Sequence, residues 1–301
     1  MAVAGGGSRS AKQANRLVYL LLAYPGGMLV VFFLVPLIML VVFSVYRNIP
    51  GGGWETAFTW DNYVRAFERG LYRDRLVFTL QLSALTALIC LAMGYPFTYY
   101  LARRASPLVR RIGLAATIST LWLTYVVRSY AWSVLLSSTS GIGRLLFWLG
   151  LTERPVGYAP GYVATLIGMV YAFLPFMILS LYGSLRAVDP SMEEASMNLG
   201  ARPWRTFWHV VLPLSWPGAA SGTLLVFLLA MGNYVVPSIL GQPAQWTMPV
   251  IITNQVMYES NVPFGAAISV VLMAVLGLVL FAAGKLLGAA RMNPYPGRRD
   301  S

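Results

Sequence analysis

Six long apolar stretches dominate the chain, at Leu17–Val45, Val77–Ala102, Ile112–Leu136, Tyr162–Leu185, Ser215–Leu240 and Pro263–Leu287. Each is long enough to cross a bilayer as a helix, which takes about 20 residues. Leu, Ile and Val run through them without the period-two alternation of a barrel strand. The pattern predicts an all-α integral membrane protein with six transmembrane helices. Composition agrees, since 57% of residues are hydrophobic and 11% charged, against about 25% charged in soluble domains. The expected organisation is a basic N-terminal tail (1–16), a single six-helix domain (17–287) with a polar loop at 186–214, and a C-terminal tail (288–301). The first apolar run is too long for a signal core and lacks a small-x-small cleavage site. "MAVAGGGSRSAKQ" is expected to be disordered.

Charge then orients the helices. With the N-terminus inside, the inner loops and tails hold about twice as many of the 22 Lys and Arg residues as the outer loops. That bias places both termini in the cytoplasm. The net charge of +12 is therefore read as topology and attraction to anionic lipid heads, not nucleic-acid binding. The single cysteine, Cys90, falls in the second span, so an intrachain disulfide is excluded.

Several chemistries are missing. No G-x-x-x-x-G-K-[ST] loop is present to cradle a nucleotide, and no paired His or Cys has metal-ligand spacing. All ten acidic residues fall in loops or flanks. Proton- and sodium-driven carriers usually bind the coupling ion on carboxylates at mid-bilayer. An ion-coupled secondary transporter acting without an ATPase is thus the alternative, and transport powered from outside the chain is the leading reading.

Local signals mark departures from regular spans. Thr59 is placed to cap a short helix with Asp61 in its first turn, where Tyr63, Ala66 and Phe67 would form an apolar face. "GIGRLLFWLG" predicts a short amphipathic helix between glycine turns. Arg128 in the third span is the one charge inside a helix. Counted from Ile112 along a continuous helix it lies about 24 Å in, and it either snorkels to the outer headgroups or lines a wet cavity. Gly232, Asn233 and Pro237 loosen or break the fifth span, and Tyr234 shares their depth.

The loop 186–214 is the most patterned polar segment. Asp189 caps a helix with Pro190 first, or Ser191 and Glu194 form a capping box. Glu193 and Glu194 suit the first turns, and Gly200 suits a left-handed terminator. A second helix starts at Pro203 and repeats Trp204, Phe207, Trp208 and Val211 on one face, with Arg202, Arg205, Thr206 and His209 opposite. "LP" at Leu212–Pro213 is expected to stop it. The residue types describe two short helices, one facing the bundle and one offering Ala195, Ser196, Met192 and two carboxylates to the surface. His209 has no second ligand nearby for a metal.

"EASMNLGARPWRTFWHVVLP" resembles the Glu–Ala–Ala, three residues, Gly, nine residues, Ile-x-Leu-Pro signature of binding-protein-dependent ABC importer permeases. Glu194, Ala195, Gly200, Leu212 and Pro213 match it, Ser196 replaces the third alanine, and Val210 stands for Ile. "TWDNYVRAF", "GYPFTYYLAR", "VVRSYAW", "GNYVVPSILG" and "PFGAAISVVLM" are similar to the spermidine/putrescine permease group, so the likeness covers most of the chain. It implies a type I ABC importer transmembrane-domain fold in the bacterial cytoplasmic membrane. It also implies that Glu193, Glu194, Ala195, Ser196 and Gly200 belong to a coupling helix docking on an ABC ATPase. Two such ATPase subunits, holding ATP and Mg, a second related permease, and an extracytoplasmic solute-binding protein would complete the system. This chain itself would bind no cofactor and catalyse nothing. The implied cargo is a polyamine or a related amine or opine-like solute. One departure bears on it: Asn233 stands where polyamine-associated relatives often carry an acid. Arg128, Asn233 and Tyr234 are the candidates for the translocation pathway.

Overall fold

The computed structural model describes residues 7–49, 51, 53–138, 141–150, 153–154 and 157–292; the ends of both expected tails, 1–6 and 293–301, lie outside them. The chain divides into two compact units, Met1–Ala66 with Gln255–Val271, and Phe67–Asn254 with Leu272–Ser301. Among the described residues five helices are long and apolar enough to cross a membrane, and a bent pair makes a sixth candidate span.

In the first unit α1 (Gly7–Ser44) starts well inside the segment expected to be disordered. That stretch, from Gly7 to Arg16, has no proline and contains Ala, Gln, Lys and Arg, all good helix formers. In its apolar part residues 23–36 are all exposed, while Ser44 at its end is buried. A two-residue antiparallel ladder follows, β1 (Arg47–Asn48) with β2 (Trp54–Glu55). Gly51 and Gly53, at φ +101° and +150°, form its turn. Helix α2 (Asp61–Glu68) begins where expected, with the Thr59 hydroxyl accepting from the Asp61 N–H at 3.2 Å. The Asn62 side-chain amide donates to the carbonyls of Ser44 and Tyr46 at 2.9 Å each, fastening α2 to the end of α1. Of the expected apolar face Ala66 is buried, but Phe67 stays exposed.

The second unit is organised by α3 (Gly70–Arg103), α7 (Tyr162–Ala187) and α10 (Leu212–Met231), which pack on one another. Leu82, Cys90, Met177, Leu181 and Val226 are among the side chains they bury almost completely. Glycines let α7 and α10 approach closely. A methyl group added at Gly222 would meet the Ser180 hydroxyl at 2.9 Å and the Met177 sulfur at 3.1 Å. In lipid, where apolar burial does not favour one neighbour over another, such backbone-close contact is a main source of helix association.

The third expected span is not one helix. It is α4 (Pro107–Ser119), a 3-10 turn (Thr120–Trp122) and α5 (Tyr125–Leu135), with the two halves bent by 98°. The polar run "TISTLWLT" explains the break. Hydroxyls of Thr117, Ser119 and Thr120 bond back to carbonyls of the preceding turn. Thr124 then starts afresh, accepting from the Val127 N–H at 3.4 Å. Such local bonds compete with the helix ladder. The depth counted for Arg128 along a straight helix therefore does not hold. Helix α6 (Ile142–Trp148) forms between Gly141 and Gly150, both at φ +70°.

The fifth span is broken. Gly232–Tyr234 separates α10 from α11 (Val235–Leu240). At its other end Leu212–Pro213 does not stop the preceding helix. The run Pro203–Met231 is continuous, built from α9 (Pro203–Thr206), a π turn (Phe207–Val211) and α10. In that turn the Leu212 N–H reaches the Phe207 carbonyl five residues back. The wider turn accommodates a proline that lacks a donor and crowds the carbonyl four back. Two further helices complete the chain, α12 (Met248–Met257) and α13 (Val262–Met292). The first was not visible in the sequence because the mixed segment around Gln242–Thr247 hid its start. The Thr79 hydroxyl accepts from the Met248 N–H there at 2.9 Å.

Candidate coupling site and buried arginine

Helix α8 (Pro190–Asn198) leaves α7 through one extended residue, Val188, and is capped by Asp189, whose carboxylate accepts from the Ser191 N–H at 2.9 Å. Bonds from the Ser191 backbone and hydroxyl, with help from the Arg103 charge, hold the Asp189 carboxyl below the usual carboxylate range. A lowered value means the ionised cap stabilises the helix above the ordinary titration range, and that stabilisation is lost progressively as pH falls from there through the lowered value. Amide exchange at Ser191, corrected for its intrinsic pH dependence, should stay flat from neutral pH down to the usual carboxylate range. It should quicken as pH falls further, whereas Asp189→Ala should be faster at neutral pH and converge with the parent once the cap is protonated. The other end of α8 closes as a Schellman motif. Gly200 sits at φ +86°, its N–H bonds to the Met197 carbonyl, and the Ala201 N–H bonds to that of Ser196.

The two carboxylates of α8 do different things. Glu193 turns inward, and its Oε1 lies 2.9 Å from Arg103 Nε, with side chains only 14% and 7% exposed. The contact is off hydrogen-bond alignment and so chiefly coulombic. Arg103 Nη2 also donates to the Val188 carbonyl at 2.7 Å. One arginine on α3 thus holds both the entry and the first turn of α8, and Glu193, expected on the surface beside its neighbour, is spent inside the chain. Glu194 and Ala195 are exposed. Ser196 is half-buried and its hydroxyl pairs with that of Thr206 at 3.1 Å. Thr206 is buried, contrary to the expectation that it faces away from the bundle.

Aromatic periodicity delivers half of what it promised. Phe207 packs edge-on against Tyr95 and Tyr99 of α3, and Val211 is fully buried. Trp204 and Trp208, on the same helical face, remain 69% and 47% exposed. On α8 Met192 and Leu199 are also exposed, Leu199 by 90%. Glu193 and Glu194 line a cavity of about 350 Å³ together with Arg104, Arg110 and Arg186. His209 is exposed and bonds only locally, to the Arg205 carbonyl. No metal-holding group of His, Cys, Asp or Glu occurs among the described residues.

Arg128 is 6% exposed, with its guanidinium carbon 4.8 Å from the Tyr125 ring centre and 5.9 Å from that of Tyr171. Burial removes the snorkelling reading. The residue borders a cavity of about 190 Å³ with Leu123, Val127, Ala131, Trp132 and Tyr171. Asn233 and Tyr234 are not part of that lining. The Asn233 side-chain oxygen accepts from the Val236 N–H at 2.9 Å, so it caps α11 across the break. Asn233→Ala should cost about 1 kcal/mol through loss of the cap, and Asn233→Asp should keep it. Thermal unfolding of the purified protein measures the difference. The functional residue that the sequence does not single out is Arg103. Nothing local ties it to a glutamate ninety positions later.

Membrane-length helices with a capped, surface-presented loop helix between two of them define a multi-span membrane protein. The family described as "Binding-protein-dependent transport system inner membrane component" matches residues 2–292, and the chain belongs to it. The protein is thus a multi-pass inner-membrane component of such a system. It is 34% identical over 254 residues to the spermidine/putrescine transport system permease protein PotB of Escherichia coli strain K12, covering 84% of this chain and 92% of that one. To the PotB of Haemophilus influenzae it is 32% identical over 262 residues, covering 86% and 91%. Among solved structures, a bacterial ABC transporter importing the acidic polysaccharide alginate superimposes with TM-score 0.78 at 17% identity, over 95% of this chain and 100% of that one. That likeness establishes the type I importer fold.

Proposed function

We propose that the chain is the permease subunit of an ATP-driven importer that passes a small amine solute, a polyamine or a related opine-like compound, from an extracytoplasmic binding protein into the cytoplasm. The termini and α8 face the cytoplasm. The observation that carries the reading is the construction of α8. It is held by Arg103 and Thr206 on one side and leaves Glu194, Met192 and Leu199 exposed. Displacing α8 pulls on α3 through Arg103, and on α10 through Thr206 and the π turn. Those are two of the three helices of the core, so a docked ATPase can tilt the bundle through this one element.

Two ATPase subunits hold ATP and Mg and supply the work; this chain adds no catalytic group. A second, related permease completes the pathway. Purification of the chain from its natural host membrane should bring down an ATPase and a second multi-span protein. In proteoliposomes uptake should require ATP and the binding protein. Gradient-driven uptake by the purified chain alone would establish a secondary carrier instead.

A further inference from the structure

The cavity beside α8 carries more positive charge than its lining neutralises. Arg104 ends α3, Arg186 lies in the last turn of α7, and Arg110 lies in the first turns of α4. Three helix ends thus bring three arginines to the wall of one space of about 350 Å³. None of the three forms an ion pair within the described residues. Glu193, in the same lining, is already taken by Arg103, which leaves Glu194 as its one unpaired acid. The dipoles of α3 and α7 favour a cation at their C-terminal ends, but the start of α4 disfavours Arg110. Helix stability therefore does not account for the cluster. The charges are also within reach of a ligand, since Arg104 and Arg186 are exposed and Arg110 is half-buried.

Both α3 and α7 are membrane-length helices, so their ends lie near the level of the lipid headgroups. On the first two turns of α4, Leu108 is 67% and Ile112 59% exposed. Arginines next to bare apolar turns suit a molecule with an anionic head and hydrocarbon tails. A soluble anion would use only the first of these features. We propose that the cavity binds the phosphodiester headgroup of an anionic phospholipid of the inner leaflet through Arg104, Arg110 and Arg186. This rests on the permease reading, which faces α8 to the cytoplasm. Guanidinium groups match phosphate oxygens in geometry as well as charge, and basic pockets between helices on the cytoplasmic side suit such headgroups. The bound phosphate also offsets three cations that otherwise attract Glu194 across the cavity. The lipid thereby keeps that carboxylate available to the ATPase.

The test begins with the purified full chain, delipidated in a neutral detergent and examined by native mass spectrometry with added lipid. Phosphatidylglycerol should bind ahead of phosphatidylcholine, and inorganic phosphate should not displace it. A basic residue near the membrane surface is worth about 5-fold in affinity for an anionic lipid. Arg104→Gln, Arg110→Gln and Arg186→Gln should each weaken binding by about that factor, and the triple substitution by about 100-fold. Lysine at the three positions should keep most of the preference. Arg202→Gln with Arg205→Gln, which removes two charges outside the cavity lining, should leave it unchanged. An equal loss in that control would mean general surface charge. Displacement by phosphate would assign the cavity to a soluble anion, and loss of the lipid once the ATPase docks would assign it to an acid of that partner. Each of these results overturns the inference. In liposomes of the assembled complex, solute-stimulated ATP hydrolysis should rise as phosphatidylglycerol is mixed into phosphatidylcholine, and the triple Gln variant should lose that dependence. Hydrolysis indifferent to lipid composition in the parent would overturn the role given to the lipid in freeing Glu194. Failure of the permease reading would show separately, as absence of ATP-dependent uptake in every lipid while the purified chain still binds phosphatidylglycerol.

Discussion

Glu194→Ala should abolish solute-stimulated ATP hydrolysis and uptake together while leaving the complex assembled. Glu194 is exposed on the first turns of α8 and makes no ion pair within the described residues. Its removal therefore costs the folded chain little. At a docked interface the balance changes. A carboxylate closed into a cleft against a basic partner loses about 3–5 kcal/mol when truncated, roughly two to three powers of ten at 1.4 kcal/mol each. A pair that stays wet would lose under about 1 kcal/mol. The proposed docking predicts the large value because a partner cleft that closes over the exposed Glu194 takes its carboxylate out of water. Stimulated ATPase activity and uptake in proteoliposomes decide it. Normal rates of both would remove α8 from the coupling role.

Arg103→Ala should have an effect of similar size for a different reason. It strands Glu193 in a site where both partners are nearly buried, and it releases the Val188 carbonyl. Truncating one member of a buried pair costs about 3–5 kcal/mol, much of it the penalty on the charge left behind. The loop should then loosen before any partner binds. Amide exchange across 188–198 should speed up in the Arg103→Ala protein and stay unchanged in Glu194→Ala. Replacing both, as Arg103→Met with Glu193→Leu, should restore much of the protection, since two apolar groups leave no orphaned charge and only the Val188 carbonyl unpaired. Protection that remains intact in Arg103→Ala would mean that the Ser196–Thr206 bond and the two caps suffice.

The contrast between the two glutamates marks where local reading stops. They are adjacent and identical, and both favour the first turns of a helix. Only the return of α3 beside α8 makes one internal and the other external. The same holds for the aromatic face of 203–211. Period 3.6 placed Trp204, Phe207, Trp208 and Val211 together, but Tyr95 and Tyr99 cover only the part nearest the core. The third span failed for another reason. A hydropathy window averages over "TISTLWLT", so four hydroxyl side chains that end one helix and begin another were hidden by the apolar residues around them.

The sequence by itself determined what depends on neighbours a few positions away. Long apolar runs, the Asp189–Pro190 start of α8, the Gly200 stop and the glycine-bounded α6 all rest on interactions spanning five residues or fewer, and each was legible. The spacing from Glu194 to Pro213 was legible too, and it pointed to the family. The tertiary structure alone decided how charges are used, because an ion pair depends on which helices meet. It gave Glu193 to Arg103, turned Asn233 into a helix cap, and enclosed Arg128 between two tyrosines with its donors unspent.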